Sequence, residues 1–280
     1  MARRPTFGDE PMSRLAAWSS RFALFALAVA ALSIIIVRSG VLEIVPSLAT
    51  FAAALVFAGL AVLLALASFV TIWRQGLSGL GHSILGLFLG LLLLVYPSYL
   101  GYRAIKLPAI ADITTDTANP PRFEVLARQR PRGGIDYPGA KFAVLQRAGY
   151  PDIAPLQLNA PFKLTYDVTL ALVTKRKWTI VDARPLAPGR REAIIEATAR
   201  TPIMGFRDDV VIRVSAVGNG ARVDMRSASR YGWHDFGANA SRIRSLFEDI
   251  DEGVSSAPEP RPEPEKPGKK APDKRQPTKR

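Results

Sequence analysis

The stretch RSASRYGWHDFGANASRIR, Arg226 to Arg244, concentrates side chains that can do chemistry: four arginines, one of the chain's two histidines, an aspartate and three serines. It supports three assignments. In the first it is a polar joint: Arg226 and Arg230 lie on the outward face of a strand and pair with Asp208, Asp209 and Asp224. Ser227 and Ser229 then point inward to a closing helix that Asp235 or Asn239 caps. In the second it is an anion pocket. Arg226, Arg230 and Arg242 offer planar donors to a phosphate or carboxylate, and a helix amino terminus near Asn239 adds backbone N–H groups. Ser227, Ser229 and His234 complete it. In the third it is catalytic, since Ser229, His234 and Asp235 are the residue types of a nucleophile, a base and an orienting carboxylate. No GxSxG frame surrounds the serine. His234 and Asp235 are also sequence neighbours, whereas an orienting carboxylate must reach the far ring nitrogen. No residue is therefore assigned as catalytic. The candidate ligand-binding set is Asp209, Arg213, Arg226, Ser227, Ser229, Arg230, His234, Asp235, Asn239 and Arg242.

These residues depend on a hairpin and a helix. In DDVVIRVSAVGNGARVDMRSASR, Val210, Ile212 and Val214 alternate with polar residues, as do Val223, Met225 and Ser227. The Asn219-Gly220 pair between the two runs suits a type I′ turn. The pattern predicts one buried face and one exposed charged face carrying Asp209, Arg213, Asp224, Arg226 and Arg230. Ile243, Leu246, Phe247 and Ile250 fall at helical spacing. Upstream, Pro161 opens a helix through Phe162, Tyr166, Leu170 and Val173, and KWTIVDA and AIIEATART are strands. The expected fold is α+β, an antiparallel sheet with flanking helices over residues 161–252.

Three apolar runs precede this domain. The first is FALFALAVAALSIIIV, bracketed by Arg21 and Arg38. The second is the uncharged stretch Ile44–Trp73, and the third is Gln75–Tyr102. A bilayer core of about 30 Å needs roughly 20 apolar residues, which predicts spans near 16–37, 48–73 and 79–100 within residues 15–102. Residues 1–14 form the cytoplasmic amino terminus, and 103–160 an extended linker and domain entry, a segment laid on the domain or linking it to the membrane. The flanking Lys and Arg residues favour a cytoplasmic amino terminus. After three spans the domain lies outside, giving a multi-pass inner-membrane protein with a periplasmic domain. Gly86 and Gly90 form a GxxxG step that offers a homo-oligomer contact. From residue 253 to 280 the chain is proline-rich, basic at its end and without aromatics, which predicts a disordered tail.

Composition removes whole classes of function. With no cysteine there is no disulfide, thiolate metal site or cysteine nucleophile. Two histidines, His82 and His234, make a zinc site improbable, and no metal or cofactor is expected. No P-loop, GxGxxG after a strand or HExxH is present. The net charge of +13 is spread along the chain. The predicted sheet face has no aromatics beside its basic groups, which argues against nucleic acid.

DITTDTANPPRF, IEATARTPIMGFRDDVVIRV and VDMRSASRYGWHDFGANASRIR resemble blocks of the domain-of-unknown-function family 1499, over roughly Ile110 to Ile250. The three-span layout resembles alpha-proteobacterial members. The resemblance implies domain limits and carries no assigned catalytic residues. The expected function is that of a bilayer-embedded protein whose domain binds a partner protein or an anionic ligand at the envelope. Two alternatives stay open. One is a hydrolase-like envelope enzyme using the Arg226–Arg242 polar cluster. The other is a cytosol-facing adaptor whose basic tail meets anionic lipid or nucleic acid.

Overall fold

A computed structural model describes residues 10–40, 44–130, 136–186 and 192–257. Most of the predicted tail, from residue 258, lies outside these residues. Its first residues, to Ser255, complete the last helix.

Three long helices come first: α1 (Arg14–Ser39), α2 (Ile44–Gln75) and α3 (Leu80–Lys106), each long and apolar enough to cross a membrane. Lipid offers no hydrophobic drive between helices, so they pack through small residues. On α1 the buried seam includes Ala16, Ser19, Ala23, Ala26, Ala30 and Ser33, and on α2 Ala54, Ala58, Ala61, Ala65 and Ser68. Large side chains such as Leu24, Leu63 and Phe88 face outward. Two hydroxyl contacts tie the bundle: Ser19 Oγ donates to Ala61 O at 2.8 Å, and Ser68 Oγ donates to Ser83 Oγ at 2.6 Å. Gly86 and Gly90 are used within this bundle. A Cβ on Gly86 would lie 1.9 Å from Ser19 Oγ, and one on Gly90 would lie 2.7 Å from Val62 Cγ2. Both glycines therefore face the chain's own helices.

The domain is one antiparallel sheet. Its strands are β1 (Asp112–Thr114), β2 (Leu156–Leu158), β3 (Thr179–Arg184), β4 (Glu192–Arg200), β5 (Arg207–Val217) and β6 (Gly220–Ser229). Their order is β1-β6-β5-β4-β3, with β2 also paired to β6. One face packs on α5 (Phe162–Lys175) and α6 (Ala238–Ser255) through Val210, Ile212, Val214, Val223, Met225, Ile243, Leu246 and Ile250. The alternation in the hairpin and the spacing in α6 place these residues as the sequence predicted.

Three expectations are corrected. Residues 103–160 are more than a linker, because they supply β1, a 3₁₀ turn (Leu126–Gln129), α4 (Ala140–Gly149) and β2. The two strands are three residues each, too short to show a period. The second face of the sheet is also buried. Phe123 and Leu126 cover Val211 and Ala228, and Asp209, Asp224 and Arg226 are each at most 1% exposed. Local alternation reveals that a face is polar and cannot reveal that a distant segment folds over it. The hairpin loop is Gly218-Asn219, with a positive φ only at Gly218, which suits a type II′ turn. Gly220 sits in the strand instead, where a Cβ would lie 2.3 Å from Leu158 O of β2.

Candidate functional site

Strand parity divides the ten candidates between the two faces of the sheet. Asp209, Arg213 and Arg226 share the face covered by residues 116–130, with Arg230 just beyond the strand. Ser227 and Ser229 point the other way, toward Asn239 and Arg242 of α6. The stretch Arg226–Arg244 is thus two clusters with a β-sheet between them.

On the covered face every arginine meets a carboxylate. Arg226 grips Asp112 of β1 with Nε at 2.9 Å and Nη2 at 2.7 Å, and its guanidinium lies 4.8 Å from the Phe123 ring centre. Asp209 is shared by Arg130 Nε at 2.6 Å and Arg230 Nε at 2.9 Å, and it accepts from Thr198 Oγ1. Arg213 pairs with Asp224 at 3.1 Å and donates to Asn119 O. Arg222 joins Asp224 to Asp116. Burial raises the pKa of Asp116, but the N–H groups of Asn119 and Ala118 and the charges of Arg222 and Arg213 together bring it below the ordinary value. Glu196 of β4, wholly buried, accepts the backbone N–H groups of Glu124, Val125 and Leu126 at 2.8 to 3.1 Å. It clamps the covering segment to the sheet. The one trace of this role in the sequence is a lone acid amid AIIEATA.

On the helix face Arg242 pairs with Asp208 and donates to Ser227 Oγ at 2.8 Å and to Asn239 Oδ1. Asn239 Nδ2 donates to Ser229 Oγ at 3.0 Å and to Ala111 O at 3.1 Å. Asp235 caps α6, accepting from Gly237 N at 2.8 Å and Asn239 N at 2.7 Å. Burial raises the Asp235 pKa, and the N–H groups of Asn239 and Gly237 offset only part of that rise. Tyr137 and Tyr150 are pushed up to about 12, chiefly by burial and then by the charges of Asp112 and Asp235 respectively.

Among the described residues His234 makes no hydrogen bond to either serine, and its buried Nε2 has no partner. Its Nδ1 accepts the N–H of Phe236 at 2.9 Å, and its ring stacks on Phe236. An Nδ1 that accepts carries no proton to give a carboxylate, so a serine–histidine–aspartate relay is not set up. Shallow concavities of ≈ 300 Å³ beside the hairpin tip and ≈ 310 Å³ beside α6 contain none of the ten candidates.

A different basic group has no carboxylate partners among the described residues. The end of the sheet holding the β4–β5 and β6–α6 loops abuts the last turns of α1 and α3. Arg38 Nη1 donates to Pro202 O at 2.8 Å and Ile203 O at 3.0 Å, while Arg200 Nη1 donates to Arg38 O at 3.1 Å. A Cβ on Gly40, the cap of α1, would lie 3.7 Å from Arg207 Nη2, and one on Gly237 would lie 2.5 Å from Arg103 Nη2 of α3. Among the described residues, Arg38, Arg103, Arg200 and Arg207 form no ion pair, unlike the arginines of the covered face and Arg242 of α6. Sequence reading treated Arg38 and Arg103 as topology signals and did not connect them with Arg200 and Arg207, more than a hundred positions from Arg38.

Residues 112–250 match the family described as Protein of unknown function (DUF1499). No curated protein matches the chain.

Proposed function

Through residues 112–250 the chain belongs to that family, and from this premise we propose that it is a membrane-anchored, non-catalytic binding protein. Its ligand is an anionic molecule or a partner protein with an anionic surface, taken up at the membrane-facing end of the domain. The ten residues around Arg226–Arg244 serve as the scaffold that rigidifies this end. One contrast carries the reading. The arginines of the covered face and of α6 are neutralised by carboxylates, whereas, among the described residues, Arg38, Arg103, Arg200 and Arg207 are left with carbonyl or phenol partners or none at all. A guanidinium that no internal acid satisfies is suited to an external carboxylate or phosphate.

In this reading the helices lie in the inner membrane, the amino terminus is cytoplasmic and the domain is periplasmic. The odd number of spans and the flanking charges support that orientation. Alkaline phosphatase fused after residue 257 is expected to be active, and a fluorescent protein fused there to be dark. The reverse pattern would move the domain to the cytosol. For the function itself, a deletion strain complemented with Arg200→Gln/Arg207→Gln is expected to keep the deletion phenotype, whereas Ser229→Ala and His234→Ala restore growth. A His234→Ala protein that accumulates normally yet fails to complement would favour the enzymatic alternative.

A further inference from the structure

The anion can be specified from where these arginines sit, and this step rests on the reading just given. Helix α1 has 26 residues and α3 has 27, about 40 Å each at 1.5 Å per residue. A hydrocarbon core is about 30 Å thick, so the last turns, with Arg38 and Arg103, emerge at headgroup depth. Arg200 and Arg207 lie against the end of α1, and Gly237 of the β6–α6 loop lies against Arg103 of α3. Beside them the β6–α6 loop presents Trp233 at 75% and Tyr231 at 48% exposure, and the β4–β5 loop presents Ile203. Tyr99 and Tyr102 lie on the same end of α3. Indole and phenol rings in that layer, beside cations lacking internal acids, are what a phospholipid surface selects. The loop that carries Trp233 is tied at both ends to this group, by Arg230 N donating to Arg207 O at 3.1 Å and by Gly237 against Arg103.

We propose that the underside of the domain, formed by Arg38, Arg103, Arg200 and Arg207 with the Tyr231–Phe236 loop, is a binding surface for anionic phospholipid headgroups of the adjoining leaflet. Trp233 sits in the headgroup layer, and the guanidiniums bind lipid phosphates. The α6 cap and the Ser227–Asn239–Arg242 cluster hold that loop in place.

The test uses the full chain in lipid nanodiscs with Trp18, Trp73 and Trp178 replaced by phenylalanine, leaving Trp233 as the only indole. The discs contain phosphatidylcholine with a minor fraction of phosphatidylglycerol. Bromine is carried either by the phosphatidylglycerol or by an equal amount of the phosphatidylcholine. The expected result is blue-shifted Trp233 emission, quenched severalfold more strongly by brominated phosphatidylglycerol. That preference should vanish in Arg200→Gln/Arg207→Gln while quenching itself persists. A water-like, unquenched Trp233 would overturn the proposal, as would equal quenching by the two lipids. Because the lipid comparison is made on unaltered arginines, a misfolded variant cannot imitate either outcome. If quenching is equal and the arginine variant still fails to complement, the binding function survives and its ligand is some other anion.

Discussion

Replacing Arg226 with methionine tests whether the covered face of the sheet is held by charge. The side chain is 1% exposed and makes two hydrogen bonds to Asp112. Its loss leaves the Asp112 carboxylate, on a residue 9% exposed, without its cation. Breaking a buried pair from one side costs about 3–5 kcal/mol. Against a typical stability of about 5–15 kcal/mol that is a large fraction, and for a domain of this size it lowers the melting temperature by about 10–20 °C. Removing both charges, as Arg226→Met/Asp112→Asn, leaves no orphaned ion and should recover most of the loss. The assay is thermal and urea unfolding of the full chain in nanodiscs, followed by the fluorescence of Trp178, which packs against the domain core. The single variant's deficit should persist at high salt, since a buried pair is little screened. A single variant costing under about 1 kcal/mol, the behaviour of a surface pair, would refute the reasoning. So would a double variant as unstable as the single.

Four further outcomes follow from the same geometry. Glu196→Ala removes the acceptor for three buried or half-buried N–H groups, at about 1–3 kcal/mol for each group left unsatisfied. Amide exchange at residues 124–126 should accelerate before that of β5. Asp235 holds its proton more tightly folded than unfolded, so its contribution to stability falls as pH rises from the ordinary 3.8 through the raised folded value. Asp235→Asn should flatten that fall in a series of urea midpoints against pH. Asp116, lowered instead, contributes stability above 3.8 that is lost as pH falls through its folded value. Gly86→Ala drives a methyl into Ser19, an overpacking worth about 1–3 kcal/mol. It should lower the thermal stability of the helix bundle in detergent without changing the molecular mass measured by light scattering.

What the sequence determined by itself was whatever a short window encodes. Uninterrupted apolar runs marked three membrane helices, since length and hydropathy alone decide partition into a bilayer. Period-two alternation in DDVVIRVSAV marked β5 and its inward face, and Ile243, Leu246 and Ile250 marked the buried stripe of α6. Within the polar stretch, pairing of Arg230 with Asp209 and capping of α6 by Asp235 were also legible, because they involve neighbours across one hairpin or one turn. Tertiary structure alone decided which groups these side chains meet. Asp112 reaches Arg226 across 114 positions, Arg130 reaches Asp209 across 79, and Glu196 clamps a segment some 70 residues earlier. A three-residue strand and a 3₁₀ turn carry too little pattern to announce themselves, yet they turn a polar face from solvent-exposed to buried. The arginines at the helix ends have the same origin. Each is an ordinary surface cation in the sequence, and only the docking of one end of the sheet on two helix ends brings four of them together with no ion pair among the described residues.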